Sequence, residues 1–186
     1  MQKIRAFIAI DIPVSQNVTE CINELKKLQI NAKIVETENM HLTLKFLGDT
    51  DENLIDEIEK IIKDTIINIQ PFEIILKNLG IFPNQNYIKV VWIGVENTEP
   101  LKKIAETIDT KLNNLGFEKE KRPFSVHLTI ARIKSAKNKE KLIQLINKYQ
   151  NIELQKIKIN KIILKKSTLT PKGPIYTNLK EIDLGE

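Results

Sequence analysis

Cysteine, histidine and aromatic residues are all scarce in this chain. Cys21 is the only cysteine, so no disulfide can close within the chain. It sits in an amphipathic segment where a small apolar residue fits, which suits a reduced thiol. Aromatic residues make up 5% of the sequence, thin material for a binder that stacks nucleic-acid bases on a platform of rings. No stretch approaches the ~18 consecutive apolar residues of a membrane helix. The apolar run from Ala6 to Ile10 stops at Asp11 and lacks the form of a signal peptide, so the expected location is the cytoplasm. Several functional signatures are missing too. Without G-x-x-x-x-G-K-[ST] or G-x-G-x-x-G there is no phosphate loop and no dinucleotide fingerprint. Without G-x-S-x-G or H-E-x-x-H, neither a serine hydrolase elbow nor a zinc-protease helix is present. No Gly/Ser linker or low-complexity tract divides the sequence, so residues 1–186 are read as one domain.

The remaining composition is that of a folded protein, with 41% hydrophobic residues for a core and 28% charged residues for a surface. The net charge of +5 favours a polyanionic partner, although a lysine-rich surface serving solubility gives the same excess.

Periodicity predicts a strand at 3–11 and a helix capped by Ser15 that runs to about residue 29. A short extended piece follows at 33–36, a strand at 40–47 closed by Gly48-Asp49, and a helix at 52–67 capped by Asp51. Strands at 71–79 and 87–95 flank a turn at 80–86. A helix at 99–115 ends on Gly116, and a basic loop at 117–123 leads into a strand at 124–133. A helix at 138–149 and strands at 152–159, 161–169 and 175–182 complete the chain, the last two joined by a tight turn at 171–174. Adjacent strands with short turns argue for an α+β fold with antiparallel sheets.

One motif occurs twice. His41-Leu42-Thr43-Leu44 returns 86 residues later as His127-Leu128-Thr129-Ile130, and the chain's two histidines both open this tetrad. On a strand, alternate side chains share a face, so each copy projects His and Thr together with apolar residues behind. Each motif strand also precedes a helix. This pattern predicts two related lobes about a pseudo-twofold axis, bilobal antiparallel sheets with helices outside. The motif strands are expected to be central neighbours that carry both His-x-Thr pairs into one cleft.

Two imidazoles and two hydroxyls suit in-line displacement at phosphorus. One imidazole can activate the attacking oxygen while the other protonates the leaving oxygen. Thr43 and Thr129 can donate to the non-bridging oxygens, and Arg132 can take developing charge. Arg132 lies five residues past His127, an odd offset that puts it on the wrong face of a flat strand. A bulge, a twist or a strand end is therefore required. Metal catalysis is disfavoured, because two histidines fall short of the three or four ligands a zinc site needs.

Five segments in order resemble the RNA 2′,3′-cyclic phosphodiesterases historically called 2′-5′ RNA ligases, of the two-histidine phosphoesterase superfamily. They are residues 5–10, the first motif at 38–48, residues 81–83 with 91–95, the second motif at 124–132, and residues 167–176. Ile34 stands near a common Trp position of the family, and Val126 where it often has Pro. The resemblance implies hydrolysis of an RNA 2′,3′-cyclic phosphate to a 2′-phosphate, with no metal or other cofactor. By carry-over His41 protonates the departing 3′ oxygen and His127 activates water, although the residues alone leave the two roles interchangeable. Thr43, Thr129 and Arg132 would hold the phosphate, and Phe46 would contribute to a base or ribose pocket or else to the core. The implied partners are RNA ends or nucleotides bearing the cyclic phosphate, the protein acting as a monomer away from membranes. Two alternatives stay open: 2′-5′ ligation by the same groups in reverse, and a non-catalytic RNA-binding module.

Overall fold

A computed structural model describes residues 3–135, 137–171 and 173–185. Lys172, in the turn expected at 171–174, lies outside the described residues. The strands are β1 (Lys3–Asp11), β2 (Ala32–Ile34), β3 (His41–Asp51), β4 (Phe72–Asn84), β5 (Tyr87–Glu96), β6 (His127–Ile133), β7 (Glu153–Ile159), β8 (Lys161–Thr170) and β9 (Gly173–Asp183). The helices are α1 (Gln16–Lys27), α2 (Ile55–Ile66), α3 (Glu99–Asn113) and α4 (Lys139–Lys148).

The class is α+β, as the alternation predicts. All strand pairs are antiparallel and form two sheets, a four-stranded one ordered β3-β1-β8-β9 and a five-stranded one ordered β2-β6-β5-β4-β7. Helices α2 and α4 pack on the sheet that precedes them, but α1 and α3 do not. α1 follows β1 but packs on β7 and α4, whereas α3 follows β5 but packs on β3 and α2. The lobes are thereby interlocked, and one contiguous apolar core runs through both sheets and all four helices.

Local chemistry starts the helices where expected. The Ser15 hydroxyl accepts from the Val18 N–H at 3.3 Å, and Val18, Cys21, Ile22 and Leu25 bury one face of α1. Burial pushes the Cys21 thiol up to about 12, which leaves it an inert packing group. Asp51 Oδ1 accepts from the Asn53 N–H at 3.0 Å and starts a single 3₁₀ turn that runs into α2.

Three expectations are corrected. Residues 80–84 are not a turn, because the β4–β5 ladder continues to Asn84 opposite Tyr87 and leaves only Gln85 and Asn86 as the connection. Gly80 serves packing instead: it pairs with Trp92, and a Cβ there would collide with the indole. The second motif strand starts at His127, not 124, since its ladder with β5 begins only there and its ladder with β2 only at Ala131. The motif strands are also not central neighbours. β6 already has β2 and β5 on its two edges, so β3 cannot pair with it and lies at the edge of the other sheet. β3 and β6 meet through packing and not through a ladder.

Candidate functional site

The two motifs have the same local structure. Both strands show one sequence of burial over seven residues: half-buried His and Thr, buried residues at the second, fourth and fifth positions, an exposed sixth and a buried seventh. The adjacent buried pair marks a break in alternation. On β3, Ile8 pairs with Lys45 and Ala9 with Thr43, so Leu44 has no partner. On β6, Val91 pairs with Ala131 and Trp92 with Thr129, so Ile130 has none. Each is a β-bulge, one extra residue that flips the phase of everything after it. The bulge at Ile130 returns Arg132 to the face of His127 and Thr129, which resolves the odd offset. The bulge at Leu44 does the same for Phe46, whose side chain is 67% exposed.

The same phase shift sends Lys45 behind β3. Its ammonium is buried and contacts Asp109 Oδ1 of α3 at 2.6 Å and the Glu118 carbonyl at 2.9 Å. Asp109 also accepts from the Glu120 N–H, so this ion pair pins the 117–122 segment. That segment and residues 46–48 line an open groove of about 440 Å³ beside Phe46. On β6 the equivalent position is Ala131, which has no such role.

Both imidazoles are anchored alike. His41 Nδ1 lies 2.7 Å from the Asn39 carbonyl and His127 Nδ1 lies 3.2 Å from the Ser125 carbonyl. A carbonyl only accepts, so each Nδ1 carries hydrogen and each Nε2 is left for chemistry. Aromatic rings brace both. His41 lies 5.0 Å from Phe7 and 5.1 Å, edge-on, from Tyr176. His127 lies 5.0 Å, edge-on, from Phe82 and 6.2 Å from Trp92.

Burial holds both imidazoles below their ordinary range. The carbonyl hydrogen bonds act the other way, and the Arg132 guanidinium lowers both rings further. Arg132 is thus within electrostatic reach of both histidines, although they belong to different sheets. Among the described residues no carboxylate pairs with it. Burial raises the Tyr176 phenol, and Arg132 and Arg5 oppose that rise. His41 also feels the Lys165 ammonium, which lowers it, and the Asp11 carboxylate, which raises it. That carboxylate is already engaged by Lys165.

Sequence reasoning selected His41, His127, Thr43, Thr129, Arg132 and Phe46. It missed the groups around them: Asp11, Phe7, Lys165, Tyr176, Phe82 and Trp92. Phe7, Tyr176, Phe82 and Trp92 fall inside the family-like segments, which was the available signal. Nothing local marks Asp11 or Lys165.

The family model described as the 2′-5′ RNA ligase superfamily matches residues 13–164. The chain belongs to this superfamily. Among its superfamily relatives, the RNA 2′,3′-cyclic phosphodiesterase of Methanocaldococcus jannaschii is 46% identical over 180 residues, covering 96% of this chain and 99% of that one. The protein of the same name from Methanothermobacter thermautotrophicus is 41% identical over 180 residues, covering 96% and 97%. The crystal structure of TT0787 of Thermus thermophilus superposes with a TM-score of 0.80 at 24% identity, covering 98% of each chain. E. coli LigT complexed with 3′-AMP superposes with a TM-score of 0.73 at 21% identity over the full length of both. These two structural likenesses show a shared fold.

Proposed function

We propose that this protein hydrolyses the 2′,3′-cyclic phosphate at RNA ends to a 2′-phosphate, by paired imidazole acid–base catalysis without a metal ion. The observation that carries the mechanism is Arg132, returned by a bulge to the His127 face and acting on both imidazoles. A cation that reaches two rings from separate sheets, and that no carboxylate among the described residues neutralises, suits a phosphate held between them. The names of the relatives supply the substrate class.

Water attacks phosphorus as His127 Nε2 takes its proton. The P–O3′ bond breaks, and His41 Nε2 delivers a proton to the 3′ oxygen. Water's hydroxyl ends on phosphorus, the 2′ ester survives, and the two rings exchange protonation states. In the free protein burial keeps both rings short of protons. The bound phosphodiester anion offsets that penalty at His41 and lets it hold the proton it must give. Thr43 and Thr129 donate to the non-bridging oxygens, each contributing roughly 1.5–3 kcal/mol as a hydrogen bond to charge. Arg132 takes the charge that develops in the transition state. Exposed Phe46 offers its ring to the terminal base or ribose. Hydrogen bonds that fix the tautomer of both rings serve proton transfer and have no purpose in a module that only binds RNA.

The test is incubation of an oligonucleotide ending in a 2′,3′-cyclic phosphate with the protein in EDTA, followed by identification of the product. A 2′-phosphate end formed at an undiminished rate is the expected result. A 3′-phosphate, or activity that returns only with a divalent cation, overturns the mechanism.

A further inference from the structure

The proposed mechanism does not use Lys165, yet this lysine is only 4% exposed and lies on the site side of its sheet. Its Cα pairs with Phe7, whose ring touches His41. Its ammonium binds both oxygens of Asp11, at 2.6 and 2.7 Å. Asp11 in turn sits directly opposite His41 in the β1–β3 register. An ammonium taken out of water is costly, and carboxylate pairing offsets that cost.

The second buried lysine provides a contrast. Lys45 points away behind β3, braces a loop through Asp109, and acts on neither imidazole. The Lys165–Asp11 pair stands beside a ring, and its two charges act on that ring in opposite directions. The groups facing His41 are Asp11 from β1, Lys165 from β8, the Tyr176 phenol from β9 and Arg132 from β6. Two of these are fixed cations, and Asp11 alone supplies negative charge.

We infer that Asp11 and Lys165 are positioning residues for His41, the carboxylate masking a buried ammonium that would otherwise keep the imidazole from holding its proton. The inference rests on the proposed catalytic role of His41 for its consequence but not for its measurement. Removing Asp11 leaves His41 facing bare positive charge. Removing Lys165 leaves it facing a bare carboxylate. The two losses therefore push the ring in opposite directions, and the double loss largely cancels. A role confined to folding predicts no such antisymmetry.

The experiment compares Asp11→Asn, Lys165→Met and the double variant. With two histidines in the chain, the imidazole C–H signals are few, and His127→Ala assigns them. Proton NMR titration then reads the His41 pKa without any need for turnover. Asp11→Asn should lower it, Lys165→Met should raise it, and the double variant should return close to the parent. The His127 titration should stay in place. In kcat/KM against pH for the cyclic-phosphate oligonucleotide, one limb should move accordingly. On the far side of that limb the rate should change about tenfold for every pH unit the limb travels. Movement of the basic limb identifies His41 as the acid, and movement of the acidic limb identifies it as the base; either supports the inference. Shifts of the same sign in both single variants, or an unmoved His41 titration, overturn it. If Asp11→Asn fails to fold because an unpaired ammonium is left buried, Lys165→Met decides alone: an upward shift supports the pair's role and no shift refutes it. Correct NMR shifts in a protein that does not cleave the oligonucleotide would refute the proposed hydrolysis and leave the pairing intact.

Discussion

Replacing Arg132 with Gln removes one charge that acts on both imidazoles, and this gives the substitution a distinctive signature. The first effect is a loss of transition-state stabilisation. A hydrogen bond to a charged group is worth about 1.5–3 kcal/mol. At about 1.4 kcal/mol per decade this corresponds to a roughly 10- to 150-fold fall in kcat/KM. The second effect is on proton affinity. Arg132 disfavours protonation of both rings, so without it both pKa values rise. In the free enzyme the acidic limb of kcat/KM reports the base and the basic limb reports the acid. Both limbs should therefore move to higher pH together, without the bell becoming much wider or narrower. Arg132→Lys keeps the charge and so should keep the bell in place, while losing the two-pronged contact that a guanidinium makes with phosphate. The assay is initial rate against pH for the three proteins at fixed ionic strength. A bell in which only one limb moves, or full activity without the charge, would refute the action of Arg132 on both histidines.

His41→Ala and His127→Ala should each cost on the order of 10²–10⁴-fold in turnover, and the double variant far less than the product of the two. A substrate with a good leaving group should rescue the variant that lacks the acid and not the one that lacks the base. Asp109→Ala should lower stability to urea by about 3–5 kcal/mol because it strands the buried Lys45, whereas Lys45→Met with Asp109→Leu should lie much nearer the parent. Equal losses in those two proteins would mean the pair is not truly buried. Gly80→Ala places a methyl inside the space of Trp92, the chain's one tryptophan, so intrinsic fluorescence should change as the indole is displaced from beside Thr129, at a cost of about 1–3 kcal/mol.

How much of this was legible beforehand depended on range. Helical periodicity and the Ser15 and Asp51 caps act within a few residues, and they placed α1 and α2 within a few residues of their observed bounds. The duplicated tetrad was legible as well, and the odd offset of Arg132 even demanded the irregularity that Ile130 supplies. The chain does not announce which residue carries a bulge, because Ile130 is as apolar as its neighbours. The Gly80–Asn84 stretch reads as a turn by composition, yet its glycine answers to an indole on the facing strand. Asp11 and Lys165 were invisible for the same reason: they are 154 residues apart, and only the β1–β8 ladder brings them together. The adjacency of β3 and β6 was misjudged because pairing capacity is a property of a whole sheet.

The placement of β1 has a consequence for how the protein is made. β1 is buried without a break from Ala6 to Ile10, and it depends on partners far apart in the chain, β3 on one edge and β8 on the other. During synthesis its first edge can be satisfied early. Its second stays bare until residues 161–170 have left the ribosome. Contacts of such long sequence separation fold slowly, and a naked apolar edge invites pairing with another chain. The four-stranded sheet draws on both ends of the chain and α1 and α3 cross between the lobes, so no single cut leaves two complete sheets. The nascent chain therefore has to wait, and a product truncated before β8 would hold both His-x-Thr motifs and still be an aggregation template rather than a working half.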